Sequence, residues 1–342
     1  MAGNASGTEH APTPAGSQRV PAGDVPAGDR SAGDVPAGDR SMADSPAADS
    51  PAADGPAGAS QPVTAEKVTL EAAAKASAEN FPVAMRILPA RYRRHLMALY
   101  GFARLTDDIG DEVTPADRSR LLDDLEADVA RIYDGGSPPR LAALRELAVT
   151  VAECGIPAQP LLDLIQANRQ DQIVTRYETH ADLAGYCRVS ANPVGLVVLH
   201  IFGAASAERE RLSDSICTAL QLVEHWQDVA EDLRNGRIYL PRQDMEKFGV
   251  TETDLAAPVT GPRVRALIGY ETARASALLD EGAPLVGTLR GWGRLAVAGY
   301  VAGGRAALSA IAASGHDVLS MTPRPDKRET AAKAIRAYLR GR

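Results

Sequence analysis

Residues 100–112, YGFARLTDDIGDE, and residues 225–241, HWQDVAEDLRNGRIYLP, decide the fold, because each repeats an aspartate after four residues within an apolar helical pattern. Asp107 pairs with Asp111 and Asp228 with Asp232, and side chains at that spacing lie along one helix face. Four converging carboxylates repel one another unless a hard cation lies between them. Mg²⁺ takes oxygen ligands, keeps waters and contacts substrate phosphate, so the pattern reads as a site for Mg²⁺ and a diphosphate.

The rest of each stripe supports that reading. Tyr100, Arg104, Asp107 and Asp111 project together, as do Gln221, Glu224, Asp228 and Asp232, with Gln227 and Glu231 flanking the second set. Arg104 is the residue type that holds diphosphate oxygens while metal ions neutralise their charge. A solvated helix face is the ordinary meaning of a single acidic run. Two such runs, each with polar partners on its own stripe, favour a site. GRIYLP follows the second motif directly and reads either as a lid over the diphosphate, bearing Arg237 and Tyr239, or as a rigid turn.

Helix signals dominate from residue 64 and alternating strand patterns are absent, which makes the domain all-α. Pro89 opens a helix through the first motif, Thr114-Pro115 with Asp117 starts the next, and Gly135-Gly136 ends it. Further helices are expected over 138–153, 157–174, 180–204, 207–234, 262–281 and 285–313, with Asn192-Pro193 kinking the one over 180–204. Ala, Leu, Val and Ile fill the positions between the motifs, and a bundle lined that way can enclose a long hydrocarbon.

The chain has 342 residues, 45% of them hydrophobic, and its composition shifts near residue 62. Residues 1–62 repeat VPAGD-like units and hold too little apolar surface to offset the entropy of ordering. A disordered tail is therefore expected ahead of one helical domain over 63–320. The tail carries eight acids against three Arg, which leaves the body near neutral within a formal net charge of −7. No basic stripe with interleaved aromatics is present, so nucleic acid is not an expected partner. Cys154, Cys187 and Cys217 lack metal-ligand spacing and come without a signal peptide, as free thiols in a reducing cytoplasm would.

The most apolar stretch, 283–313, is interrupted by Arg290, Arg294 and Arg305, so no membrane span is expected. Residues 321–342 form a basic C-terminal segment. Within it, RPDKRETAAKAIRAYLRGR (324–342) holds seven Lys or Arg against two acids, with Ala332, Ile335 and Leu339 at helical spacing. This reads either as a solvated terminal helix or as a helix lying in a membrane interface.

The pattern YxxxRxxDDxxDE, followed some 120 residues later by QxxxxxxDVAEDxxxGRxYLP, resembles the squalene and phytoene synthases over about residues 77–320. ENFPVAMRILP, YCRVSANPVG and the WQD spelling of the second motif are most similar to the hydroxysqualene synthase branch of bacterial hopanoid biosynthesis. Phytoene synthases typically have arginine where Gln227 stands. The resemblance implies an isoprenoid synthase helical bundle around a central apolar cavity, with the two aspartate motifs facing each other across it. It directs Asp107, Asp111, Asp228 and Asp232 toward Mg²⁺ and puts Tyr100, Arg104 and Gln221 on diphosphate-contacting positions. Asn80 falls where related enzymes often have a serine near the diphosphate, and Gln227 and Arg237 complete the expected substrate-binding set. Glu224 stands where the family usually has a metal-binding asparagine; it still offers oxygens to the ion but adds a negative charge. A family tyrosine near the diphosphate has no clean counterpart, which leaves Tyr300 or Arg305 to take its place.

The branch implies that presqualene diphosphate ionises, that its cation rearranges in the apolar cavity and that water captures it as hydroxysqualene. It also implies a cytoplasmic protein, peripheral at the inner membrane face, in association with other hopanoid-pathway enzymes. Phe81, Phe102 and Trp226 either stabilise positive charge or pack the core. His95, His200 and His225 lie beside apolar neighbours and read as structural. Three alternatives stand beside this reading: condensation of farnesyl diphosphate to presqualene diphosphate or squalene, phytoene synthesis from geranylgeranyl diphosphate, and a non-catalytic lipid-binding or assembly protein of the same fold.

Overall fold

The computed structural model describes residues 87–341. The expected tail over 1–62, together with Asn80 and Phe81, lies outside the described residues. Within them the chain is helical and contains no strand; one isolated parallel bridge joins Arg176 to Ile238. The helices are α1 (Ala90–Asp111), α2 (Pro115–Tyr133), α3 (Ala142–Cys154), α4 (Gln159–Gln170), α5 (His180–Ser190), α6 (Asn192–Ile201) and α7 (Ala207–Gln227). They continue as α8 (Val229–Arg234), α9 (Arg242–Phe248), α10 (Glu252–Leu255), α11 (Pro262–Gly282), α12 (Leu285–Thr288), α13 (Gly291–Ala313) and α14 (Lys327–Arg340).

Local chemistry sets the ends. Pro115, Pro160, Pro193 and Pro262 sit in first turns, where a missing N–H leaves no bond unmade. Thr179 Oγ1 accepts from Asp182 N at 3.2 Å while Asp182 Oδ2 accepts from Thr179 N at 2.9 Å, a reciprocal cap that starts α5. Asp128 accepts from the Arg140 and Leu141 amides at 2.7 and 2.9 Å and so fixes the entry to α3.

Three of the expected helices are split. The one over 180–204 breaks at Ala191, ahead of Pro193, as the kink expectation required. The one over 207–234 breaks at Asp228, which adopts φ −107° and ψ 15° between α7 and α8. The second acidic stripe is therefore not one continuous helix face, a correction to the sequence reading. Asp228 O takes the Glu231 and Asp232 amides at 2.9 and 2.8 Å, so the backbone restarts a tight turn at this residue. The third break, at Leu289 and Arg290, comes from extended backbone that separates α12 from α13.

α7 is the central element, contacted by α5, α6, α11 and α13. Its approach to α11 depends on Gly282, where a Cβ would stand 2.5 Å from Leu212 O. Three buried clusters fill the interior. Phe102, Leu105, Ile109 and Leu144 belong to the first, Tyr186, Trp226, Tyr239 and Leu267 to the second, and Leu199, Ile216, Ala298 and Val301 to the third. Full burial of such a side chain stabilises by about 1.5–3 kcal/mol. Phe102 and Trp226 are both wholly buried here, so core packing is the role the fold gives them. By length and composition α13 is long and apolar enough to cross a membrane, although its Val297, Ala298 and Val301 are packed in the core. All three cysteines are free thiols.

The turn after α13 is tied to the start of α11 by Asp317. Its Oδ1 accepts from Thr260 Oγ1 at 2.6 Å and Ser320 Oγ at 2.8 Å, and its Oδ2 from Arg265 Nη2 at 2.9 Å. The Thr260 hydrogen bond is the largest cause holding this carboxyl down at about 2. Because the folded value lies below the ordinary 3.8, the stabilisation is full above that value and is lost as pH falls toward 2. Asp317→Ala is expected to lower stability by about 1–3 kcal/mol at pH 7. Urea titrations followed by circular dichroism check this, with the deficit shrinking as the buffer is acidified through that window.

Candidate active site

The acidic motifs lie at the end of α1 and across the α7–α8 junction, and α4 with the turn after α8 supplies the groups that hold them. Gly110 stands where α1 meets α4, and a Cβ there would lie 2.0 Å from Asn168 Oδ1. Glycine thus admits Asn168, whose Nδ2 donates to Asp107 Oδ1 at 3.3 Å. Burial nevertheless pushes the Asp107 carboxyl up to about 7; Asp111 and Glu224 add to the rise, while Asn168 and Arg104 oppose it. Asp111 is more exposed and pairs with Arg237 Nη1 at 3.0 Å. Asp171, just beyond α4, accepts from Tyr186 Oη at 2.7 Å. Burial raises it to about 6 against the pull of Tyr186 and Arg237.

Arg237 therefore stands among Asp111, Asp171 and Asp232. The backbone around it is fixed: Ile238 N donates to Thr175 O and Arg242 N to Tyr177 O, both at 2.9 Å, and Arg176 Nη1 donates to Gly236 O at 2.7 Å. Of the two readings of GRIYLP, the pinned turn is the one found. Behind it the His225 and Tyr239 rings stack 3.6 Å apart, with Tyr177 and Tyr186 against Tyr239. Burial, aided by Arg237, lowers His225 to about 3. The ring is neutral, and its 3.9 Å approach to Asp232 is a polar contact rather than an ion pair. His95, lowered by burial and 3.0 Å from Thr150 Oγ1, is likewise structural.

On the second motif, burial and then Asp228 raise Glu224. Burial and Glu231 raise Asp228, and Arg324 opposes them. Asp232 reaches about 7, through burial first and Asp228 second, with Arg237 opposing. Gln221 Nε2 lies 3.2 Å from His225 Nε2, and Gln227 donates to Pro323 O. Glu224, Gln227, Asp228 and Arg324 line a cleft of about 410 Å³. Next to it lies an apolar cavity of about 390 Å³, walled by Leu96, Tyr100, Val198, Val297 and Tyr300, and Leu220 lines both spaces.

Arg104 Nε lies 3.0 Å from Asp108 Oδ1 and Nη2 3.9 Å from Glu112, and its charge also opposes the rise at Asp107. Tyr300 lines the apolar cavity, and Arg305 pairs with Asp280 at 2.6 Å. A further basic group at the second motif is Arg324, from the segment read as terminal. Asn168, Asp171 and Tyr186 also escaped the sequence reading. Asn168 and Asp171 sit in NRQDQ (168–172), a polar run without a repeated carboxylate spacing, and Tyr186 was visible only as part of YCRVSANPVG.

Among the described residues no group of three His, Cys, Asp or Glu side chains is arranged to hold a metal ion. The acids lie in one another's field instead, Asp107 with Glu224 and Asp232 with both Glu224 and Asp228. Such oxygen-only donors, their pKa values raised by burial, are of the chemical type that suits a hard cation taking further oxygens from water and substrate.

Residues 74–330 match the family model for squalene/phytoene synthase. The chain is 35% identical over 215 residues to the hydroxysqualene synthase of Rhodopseudomonas palustris, covering 62% of this chain and 72% of that one. It is 35% identical over 212 residues to the presqualene diphosphate synthase of the same species, covering 62% and 70%. The crystal structure of squalene synthase HpnC from Alicyclobacillus acidocaldarius superposes with a TM-score of 0.66 at 42% identity, over 73% of this chain and 95% of that one. With two complete acidic motifs on an all-helical bundle, the chain belongs to the squalene/phytoene synthase family and is an enzyme of the isoprenoid synthase class.

Proposed function

We propose that the protein converts presqualene diphosphate and water to hydroxysqualene, releasing diphosphate. The observation that carries this reading is the junction at Leu220 of an acidic, arginine-flanked cleft and an apolar cavity, which together suit a charged head and a hydrocarbon tail. Cavities of this size fall within the roughly 300–1,000 Å³ of small-molecule sites. The similarity to a hydroxysqualene synthase and to the HpnC structure supports the branch. Condensation of farnesyl diphosphate to presqualene diphosphate is the second reading, favoured by equal identity to a relative named for it.

Asp107, Asp111, Glu224, Asp228 and Asp232 hold Mg²⁺ in this scheme, and the ion supplies charge withdrawal from the departing diphosphate. Arg237 and Arg324 stand on the two sides of the acids as donors to diphosphate oxygens, with Gln221 and Gln227 beside them. Arg104 orders Asp108 and Glu112, and its charge reaches Asp107. The carbon–oxygen bond breaks at the mouth of the apolar cavity, whose aliphatic wall limits access of water to the cation. Tyr100, Ser213 and Tyr300 are polar groups on that wall and are placed to position the water whose oxygen forms the new bond, its proton passing to solvent. The protein works on lipids, so peripheral contact with the inner membrane face and with other hopanoid-pathway enzymes belongs to the same proposal.

Purified protein given Mg²⁺ and presqualene diphosphate without reductant is expected to yield hydroxysqualene by lipid mass spectrometry, and none from farnesyl diphosphate. Presqualene diphosphate made from farnesyl diphosphate moves the assignment to the second reading. Asp107→Ala and Asp228→Ala are each expected to lower turnover by about 10²–10³ with unchanged circular dichroism; undiminished turnover rules out their metal role.

The buried acids also predict a pH effect on the metal-stripped protein. Asp107 and Asp232 both sit near 7, above their ordinary 3.8, so the stabilisation from keeping them protonated is lost as pH rises from about 4 through 7. In EDTA, Asp107→Asn is expected to melt higher than the parent protein at pH 8 and nearly equal to it at pH 5. Mg²⁺ is expected to raise the parent's melting temperature at pH 8 and to have less effect on the variant.

A further inference from the structure

The C-terminal helix α14 has two faces. Thr330, Lys333, Ala334, Ala337 and Gly341 face the body of the protein: Ala337 is 2% exposed, and Lys333 Nζ donates to Arg305 O at 3.0 Å and to Ser309. The opposite face leaves Ile335 63% and Leu339 73% exposed one turn apart, with Tyr338 beside them. Among the described residues nothing packs over Ile335 and Leu339, while the Arg294 guanidinium lies over the Tyr338 ring at 5.0 Å. Large aliphatic groups one helical turn apart make an apolar stripe only a short distance across, too small for a protein core and well suited to insertion among lipid chains.

The charge around the stripe is mainly positive. Arg328, Arg336 and Arg340 are exposed on this 14-residue helix, while Lys333 turns inward and pairs with Glu329 at 2.7 Å, in a chain of net charge −7. Arg336 and Arg340 flank the stripe and line a cleft of about 930 Å³ between α11, α13 and α14, in which Arg305 is paired with Asp280 at 2.6 Å and the charge of the two α14 arginines is left in excess. A cationic cleft beside an apolar stripe complements a surface whose phosphates lie just outside its hydrocarbon, the arrangement of an anionic bilayer. The helix is also tied to the substrate cavity. Gly341, which caps its C-terminus, touches Gly287 of α12, close enough that a Cβ on Gly287 would stand 2.9 Å from Gly341 O, and Leu285 of the same short helix lines the apolar cavity.

We infer that α14 is the docking element of this protein on an anionic membrane, with Ile335 and Leu339 entering the acyl layer and Arg336 and Arg340 meeting lipid phosphates. This gives the membrane contact proposed above a definite surface and rests on that proposal. It also sets the apolar end of the cavity, rather than the acidic end, beside the bilayer, the side from which a hydrocarbon tail arrives and to which an uncharged product departs.

The test is co-sedimentation of the full chain with vesicles of phosphatidylcholine alone and of phosphatidylcholine containing about a third phosphatidylglycerol. Binding is expected to the anionic vesicles, to weaken with added salt, and to be lost on the neutral ones. Ile335→Ser with Leu339→Ser is expected to weaken it about tenfold, and Arg336→Glu with Arg340→Glu by a similar factor or more. The first pair is exposed and leaves the melting temperature unchanged, so its result stands even where charge reversal disturbs the packing of α14. Anionic binding that both double variants retain overturns the assignment of α14 while leaving membrane contact through another surface. Absence of wild-type binding, or equal binding to both vesicle types, overturns both. Turnover of presqualene diphosphate is not read in this experiment, so the reaction assignment is tested separately.

Discussion

Everything at the centre of this molecule answers to the cost of burying carboxylates that have too few positive partners. Asp107, Glu224, Asp228 and Asp232 are drawn together by α1 and α7, and in each the acidity constant moves in the direction burial dictates. Left alone, such a cluster loses more by desolvation than hydrogen bonds return. The fold keeps it within an apolar frame that is paid for elsewhere, in three well-filled core clusters.

The supporting groups follow from that requirement. Gly110 gives up its side chain so that Asn168 can reach Asp107, and Asn168 is in turn held by Leu164 O at 3.3 Å. Arg237 is fixed among three acids because its amide donates to Asp232 O at 2.8 Å, because Ile238 beside it is pinned to Thr175, and because Tyr239, its near neighbour, is locked into a stack with neutral His225. A charged His225 in that stack would place a second cation beside Arg237 without solvent to screen it. Burial prevents this, so the aromatic cluster acts as a rigid, uncharged backing for the guanidinium.

The helical class, the break at Pro193 and the carboxylates themselves were legible in the sequence, since each rests on local rules: periodicity of three to four residues, proline geometry, and the spacing that puts Asp107 with Asp111. What could not be read was tertiary. The break at Asp228 arises within a segment of good helix formers and has no proline or glycine to announce it. Arg104 was read from the stripe it shares with Asp107 and Asp111, and its 3.0 Å contact with Asp108, adjacent in sequence to Asp107, was not foreseen. Arg324 lay in a basic run whose composition spoke only of surface, and its place opposite Asp228 depends on the chain doubling back over α7 after α13. Asp171 and Tyr186 meet at 2.7 Å across two helices, a pairing that no single-helix pattern contains.

The same opposition of charge bears on Glu224, the position that departs from the family pattern. A glutamate in place of an amide adds one negative charge to a cluster already short of positive partners. Arg324 enters the cleft that Glu224 and Asp228 line, and its charge opposes the rise at Asp228. A cation on the 321–342 segment is thus brought to within the field of the second motif. Gln227 strengthens the coupling by donating to the carbonyl of Pro323, which immediately precedes that arginine. Gln227 thus holds, through Pro323, the segment that bears Arg324. The positive charge is supplied to the site from the far end of the chain rather than from α7 itself, and the segment that supplies it leads directly into α14.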